Sequence, residues 1–380
     1  MTAMTLTREE RRQAAEAVYG RLEAAGVEAF LILEPENQRY LEGYEGADCY
    51  LLVSPRGHFL FADPRYTLQA SQECLFAEVV PWRDPFPPLG EAVGAVLRRL
   101  GCRRVGFERH RTLWSTLEEV RSGSPGVEWI PLGPTVEPSR RVKTPGEVEA
   151  LREACRISDE GLRATLERVA PGMREIDFAR ELEYRMARAG AEDKAFDTIA
   201  AFGERGAMAH AIPSDRELRE GDLILVDFGA RVRGYRADIT RTFVLGTATE
   251  RQRELYAAVR DAQAAAIAAL RPGIPGREPN RACMRVLEER GCLDRALKSL
   301  GHGVGLEIHE DPNMRPDCEM ILEENMVVTV EPSVSLPDWG GIRIEDTVRI
   351  AREGAEVLTR FPKDRLIELP LRAEARGSGR

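Results

Sequence analysis

Several classes of protein are excluded by what this sequence lacks. No apolar run approaches the roughly 18 residues of a membrane-spanning helix, so no membrane partner is expected. Basic residues are not segregated: 54 Lys and Arg stand against 63 Asp and Glu, for a formal net charge of -9. Without clustered cations to neutralise phosphates, a nucleic-acid partner is not expected either. Short basic groups such as Arg140, Arg141 and Lys143 read as solvated linker positions. Cysteine is sparse: Cys49, Cys74, Cys102, Cys155, Cys283, Cys292 and Cys318 include no CxxC pair and make an odd total. That excludes a disulfide framework or a thiolate zinc site and fits a reducing cytoplasm. The opening Met-Thr-Ala runs into Arg8, Glu9, Glu10, Arg11 and Arg12 without the apolar stretch of a signal peptide.

What is present, 43% hydrophobic and 31% charged residues, belongs to an ordinary globular protein long enough for two domains. Thr7 with Glu10 makes a capping box for a first helix, whose apolar spacing at Val18 and Leu22 stops at Gly26. A strand is expected at 29–33, and a hairpin over 49–63 turning on Pro55-Arg56-Gly57. Helices over 91–100 and 113–120 bracket a strand at 105–107. Residues 1–133 thus form a small mixed α/β domain. The segment 134–143 follows as an extended, proline-rich linker, then a second domain over 144–370 and a flexible tail at 371–380. The second domain opens sharply: Thr144 caps a helix, Pro145 suits its first position and Glu147 completes the box. Leu151, Cys155, Leu162, Leu166 and Val169 give its buried stripe, and a helix over 176–189 places Phe178, Leu182 and Met186 on one side. A hairpin over 223–243, helices over 250–270 and 278–290, and strands at 326–331 and 341–350 follow, so the order helix, helix, hairpin repeats.

The stretch LILVDFGARVRGYRADITRTF carries the chemistry. Its apolar strand ends on Asp227, and a second strand beyond a glycine-containing turn bears Asp238, so the two are expected to face each other across a hairpin. Burying one unpaired carboxylate is costly and a second beside it more so; either cations neutralise the pair or one holds a proton. The strand MVVTVEP likewise ends on Glu331, and in GIRIEDTV the period of two puts Arg343, Glu345 and Thr347 on one face. Between them lies GHGVGLEIHE, with His302 and His309 among glycines that permit close backbone approach. Taken singly, Asp227 and Glu331 are strand ends, Glu345 with Asp346 a solvated pair, the histidines core or capping residues, and Arg343 a salt-bridge partner. Taken together, Asp227, Asp238, His302, Glu331 and Glu345 supply four carboxylates and an imidazole, enough to neutralise two divalent cations when carboxylates bridge them. Mostly oxygen donors favour manganese, cobalt, iron or zinc. A cation pair sharing a water lowers its pKa and polarises a carbonyl, which is hydrolase chemistry.

In order, the segments VDFGA, ADITRTF, GHGVGLEIHE, VEPSV and GIRIEDT resemble the metallopeptidase family of methionine aminopeptidase, aminopeptidase P and prolidase, over about residues 143–370. The resemblance implies an α+β protein, a small mixed α/β N-terminal domain followed by a pita-bread catalytic domain. It implies two divalent metal ions, most often manganese, cobalt or zinc, with Asp227 on one, Asp238 and Glu345 bridging, and His302 with Glu331 completing the second. His210, in AHAIPSD, and His309 match the family's substrate-binding and transition-state-stabilising histidines, and Glu331 its proton shuttle. The segments NQRYLEGY and ADPRY resemble the two-domain, proline-specific branch, which implies a small peptide substrate with proline at the second position and a homodimer. Asp63, Arg65 and Tyr66 are candidates to reach a neighbouring subunit's site, or else form a turn after a strand. A dipeptidase needs a cation for the substrate's free carboxylate. Some prolidases place an Arg four residues after the second histidine; here that position is Asn313, which leaves Arg315 and Arg343 as the substrate-binding cations expected. The compact chain and the short interval from Glu331 to Glu345 favour an Xaa-Pro dipeptidase over an aminopeptidase P acting on longer Xaa-Pro-Yaa peptides. Other classes are a metal-dependent hydrolase or lyase of a non-peptide small molecule, and a non-catalytic binding module, which is expected to have lost ligands.

Overall fold

The structure, a computed structural model, describes residues 5–372, so most of the expected tail lies outside the described residues. The chain divides into two compact units, Met1–Arg140 and Arg141–Arg380. The first is built on a six-stranded mixed sheet. Its central strand Ala29–Ile32 is buried at every position, because it pairs on both edges, antiparallel with Cys49–Ser54 and parallel with Arg104–Glu108. Helix Leu89–Leu100 turns Leu89, Val93, Val96 and Leu97 onto this sheet, where they meet Leu31, Phe61 and Phe107. The capping box at Thr7 and Glu10 opens the first helix, Arg8–Ala24, as expected.

Three features of this unit depart from the sequence reading. Helices Pro35–Glu42 and Thr67–Glu73 were not anticipated; the first carries its signal in Pro35 at the opening position, where a missing N–H costs nothing. The segment 134–143 is not an extended linker. Glu128–Leu132 is a strand paired with Arg104–Glu108, Glu137–Arg140 is a helical turn, and Val136 and Arg140 are buried. Arg140 donates to Asn37 Oδ1 at 2.8 Å, and Lys143, in the second unit, is buried against Glu310 at 2.8 Å. These cations are therefore structural partners rather than solvated ones. Asp63, Arg65 and Tyr66 form the turn: Asp63 accepts from the Tyr66 N–H at 2.8 Å and from Arg65 Nε at 2.8 Å.

In the second unit, helices Pro145–Leu166 and Glu175–Ala189 are followed by a four-stranded sheet in the order Ile367–Leu369, Ile239–Leu245, Leu223–Phe228, Ile199–Phe202. Helices Glu250–Ala269 and Arg277–Glu289 are followed by a three-stranded sheet with Asp346–Ala351 between Val327–Val330 and Gly354–Val357. The expected alternation of helix pair and antiparallel strands thus holds. Two details differ. Asp227 lies opposite Thr240, not Asp238, so the aspartates are diagonal neighbours on one face. The strand expected at 341–350 is two strands, Gly340–Arg343 and Asp346–Ala351, in different sheets, and Ile344 and Glu345 form the step between them.

Candidate active site

The step at Glu345 is what brings distant carboxylates together. The Glu345 N–H donates to Thr240 O at 3.0 Å, so the crossing between sheets is pinned to the strand that follows Asp238. Thr347 fixes Asp238 in turn, accepting its N–H at 3.2 Å and donating to its carbonyl at 2.7 Å. The histidine loop is held from the other side. Thr329 donates its N–H to His302 O at 2.8 Å and accepts the His302 N–H on its hydroxyl at 3.1 Å. A side chain on Gly301 would stand 2.3 Å from Thr329 O, so only glycine lets the loop lie this close to the strand leading to Glu331.

One carboxylate oxygen each of Asp238 and Glu345 and one ring nitrogen of His302 lie within 4.8 Å of one another. His302 Nε2 is 3.3 Å from Glu331 Oε1 and 3.7 Å from Asp238 Oδ2, while its Nδ1 meets Gly303 O at 3.0 Å. Asp227 stands differently: one oxygen is taken by Arg343 Nη2, and the other, Oδ1, is buried with no hydrogen-bond partner. Glu345 is arranged alike, with Oε2 accepting from Thr240 Oγ1 at 2.6 Å and Oε1 buried without a partner. Burial, reinforced by the neighbouring carboxylates, pushes Asp238 and Glu345 well above the usual carboxylate range; burial also raises Asp227, against the pull of Arg343. Burial opposes ionisation of Glu331 as well, but the contact with His302 and the charge of Arg343 hold it below its ordinary value. Buried carboxylate oxygens with nothing to bond are costly. A divalent cation removes that cost, and this oxygen-rich set with a single imidazole suits one. The residues present therefore fit a divalent metal centre.

All five expected ligands line one cavity of about 670 Å³, together with His210, His309 and Arg343. The His302 and His309 rings meet edge to face, 4.4 Å between centroids. Burial and the neighbouring His302 push the His309 pKa down. Ile176, Phe196, Ile199, Ile212, Leu297 and Ile308 give the cavity an apolar wall that no sequence motif marked. The two cations expected to bind substrate stand differently. Arg315 is exposed, sits 3.9 Å from Asp317 and does not line the cavity. Arg343 lines it but is buried, its guanidinium directed to Asp227, to Thr240 Oγ1 at 3.0 Å and to Ala209 O at 3.2 Å. Its guanidinium holds Asp227 and Thr240 in place at the cavity wall. Thr240, Thr329 and Arg241, which donates to Glu345 O, were missed as supports. For Thr240 the signal was available, since it stands two residues from Asp238 in a strand and so shares its face.

Comparison with known proteins agrees with this geometry. The model of Metallopeptidase family M24 matches residues 149–352, and that of the Creatinase/Prolidase N-terminal domain matches residues 15–142. The chain is 41% identical over 253 residues to an Xaa-Pro dipeptidase of Pyrococcus furiosus, covering 67% of this chain and 73% of that protein. It is similar to the structure of an Xaa-Pro dipeptidase from Bacillus anthracis, with a TM-score of 0.90 and 33% identity over 94% of this chain and 100% of that one. An X-Pro aminopeptidase from Thermotoga maritima gives a TM-score of 0.85 at 33% identity, over 93% and 99% of the two chains.

Proposed function

Since the chain belongs to metallopeptidase family M24, carrying a creatinase-type N-terminal domain before a pita-bread catalytic domain, we propose that it hydrolyses the bond between an N-terminal residue and a following proline, with dipeptides favoured. The observation that carries this reading is the convergence of Asp238, His302 and Glu345, with Glu331 on His302 and an unpartnered oxygen on Asp227, in one cavity of peptide size. These five residues would hold two divalent ions, manganese, cobalt or zinc by the donor set. Bound there, the metal lowers the pKa of a water and polarises the scissile carbonyl.

The remaining work falls to the chain's own side chains. Glu331, kept ionised by His302 and Arg343, accepts the proton of the attacking water and delivers it to the proline nitrogen as the bond breaks. His309, held neutral by burial and by His302, presents a ring N–H to the oxygen on which charge develops. His210, exposed at the cavity wall, contacts the substrate. The apolar wall receives the pyrrolidine ring and excludes water. Among the described residues no helix is long and apolar enough to cross a membrane, and the seven cysteines form no disulfide; a cytoplasmic location belongs to this reading. A homodimer accompanies this reading.

Replacing Glu331 or His302 by Ala is expected to abolish release of proline from an Xaa-Pro dipeptide while leaving the far-ultraviolet circular dichroism unchanged. Full metal-dependent turnover by either variant would reject the assignment. The displaced Arg315 favours a second reading, an aminopeptidase that takes longer Xaa-Pro-Yaa chains. Turnover of a tripeptide alongside the dipeptide decides between the two.

A further inference from the structure

The charges that line the cavity do not all balance. Lys194 is neutralised between Glu183 at 3.3 Å and Asp197 at 2.9 Å, and Arg343 is bound to Asp227. Arg180 lines the same cavity and is exposed, and no described residue gives it a hydrogen bond or ion pair. Of the acids three residues away on the helix, Asp177 lies in its field but already receives two bonds from Arg174, at 2.7 and 2.9 Å, and Glu183 meets Lys194 at 3.3 Å. Helical spacing explains why the cation faces the cavity: Ala179 and Arg180 lie three and four residues after Ile176, and Glu183 lies four and three residues after them, so the four form one stripe of helix Glu175–Ala189.

Resting on the peptidase reading above, we propose that Arg180 binds the free C-terminal carboxylate of the substrate and is the residue that makes dipeptides preferred. A dipeptide whose scissile carbonyl lies at the carboxylate cluster has its other charged end, the proline carboxylate, in need of a cation. Neither Asn313 nor the exposed Arg315 supplies that cation, and Lys194 and Arg343 already have carboxylate partners. A guanidinium also matches a carboxylate with two parallel N–H donors, which an ammonium does not. In a longer peptide the proline carboxylate becomes an amide, and the charge-assisted contact is lost.

The test compares an Xaa-Pro dipeptide with the same dipeptide carrying a C-terminal amide, using metal-loaded wild type, R180A, R180K and R180E. Wild type is expected to prefer the free acid. R180A is expected to raise KM for the acid about 10- to 100-fold, the size of a lost charge-assisted contact, and to bring the ratio of kcat/KM for acid over amide close to unity. R180K should recover part of that ratio, and R180E should invert it. Because a general structural defect lowers both substrates together, the ratio separates recognition from misfolding. A wild-type ratio in R180A, or no acid preference in wild type, overturns the role of Arg180 and leaves the peptidase reading standing. Failure of wild type to cleave either substrate overturns both.

Discussion

Replacing Thr240 by Val tests how the site is held. The side chain is fully buried, its hydroxyl donates to Glu345 Oε2 at 2.6 Å, and it accepts from Arg343 Nε at 3.0 Å. Valine keeps the volume and the strand preference, so only the two hydrogen bonds are removed. The bond from Arg343 involves a charged partner and is worth about 1.5–3 kcal/mol, while the one to Glu345, whose carboxyl burial favours in its protonated form, is worth about 0.5–1.5 kcal/mol. Arg343 keeps its contacts to Asp227 and Ala209, which limits the loss, and a stability decrease of about 2–4 kcal/mol is expected. The more specific consequence concerns the metal. With Oε2 released, Glu345 no longer presents Oε1 in a fixed direction, and affinity for a divalent cation should fall about 10- to 100-fold, as when other outer contacts to metal ligands are removed. Calorimetric titration of manganese into chelator-stripped wild type and T240V reads the affinity, and denaturant midpoints read the stability. Metal affinity in T240V equal to wild type would show that Thr240 does not orient Glu345.

Two other outcomes follow from the same electrostatics. Asp238 and Glu345 have raised pKa values, so metal ions must displace protons from them; binding should release protons, and apparent affinity should rise with pH. Calorimetry in buffers of different ionisation enthalpy measures that release, and none at mildly acidic pH would contradict the assignment. Beneath the site, burial opposes ionisation of Asp346, but Arg241 at 2.7 Å and Lys363 bring its carboxyl from 3.8 down to about 2. Burial lowers the Lys363 pKa despite this pairing, so Arg241, which stays charged, is the dependable partner. A folded value below the unfolded one means the stabilisation, about 2 kcal/mol, is fully present above about pH 4 and lost as pH falls through about 2. D346N should therefore be less stable than wild type near neutrality, with the gap in unfolding free energy closing across that acidic window. A gap that is independent of pH would show that Asp346 is not held in this way.

Local signals were legible wherever a few neighbouring residues decide the outcome. The capping boxes at Thr7 with Glu10 and Thr144 with Glu147 placed two helix starts, and the aliphatic strand run ending on Asp227 placed the site. The four cavity-lining acids and the imidazole were legible for another reason: burying so many ionisable groups is unfavourable unless they share a task. Tertiary partners were not legible. The segment 134–143 reads as a linker from its prolines, yet Val136 is buried and Arg140 finds Asn37, a residue 103 positions away. The GIRIEDT alternation reads as one strand, yet it changes sheets at Glu345 because the Glu345 N–H bonds Thr240 O rather than a strand on its own sheet. Arg343 offered both a substrate and a salt-bridge role; the second became visible only in the packing of Asp227 beside it, 116 residues away. Arg180 carries no motif at all, and its interest comes from the charges left unbalanced around it.

The most direct measurement is a titration of chelator-stripped protein with manganese, following proline released from an Xaa-Pro dipeptide against metal bound per chain. Five side chains that converge on a divalent pair predict no turnover without metal and activity that reaches its plateau as the second equivalent binds. Undiminished hydrolysis in the metal-free protein, or full metal loading with no release of proline, would contradict that convergence as the basis of function.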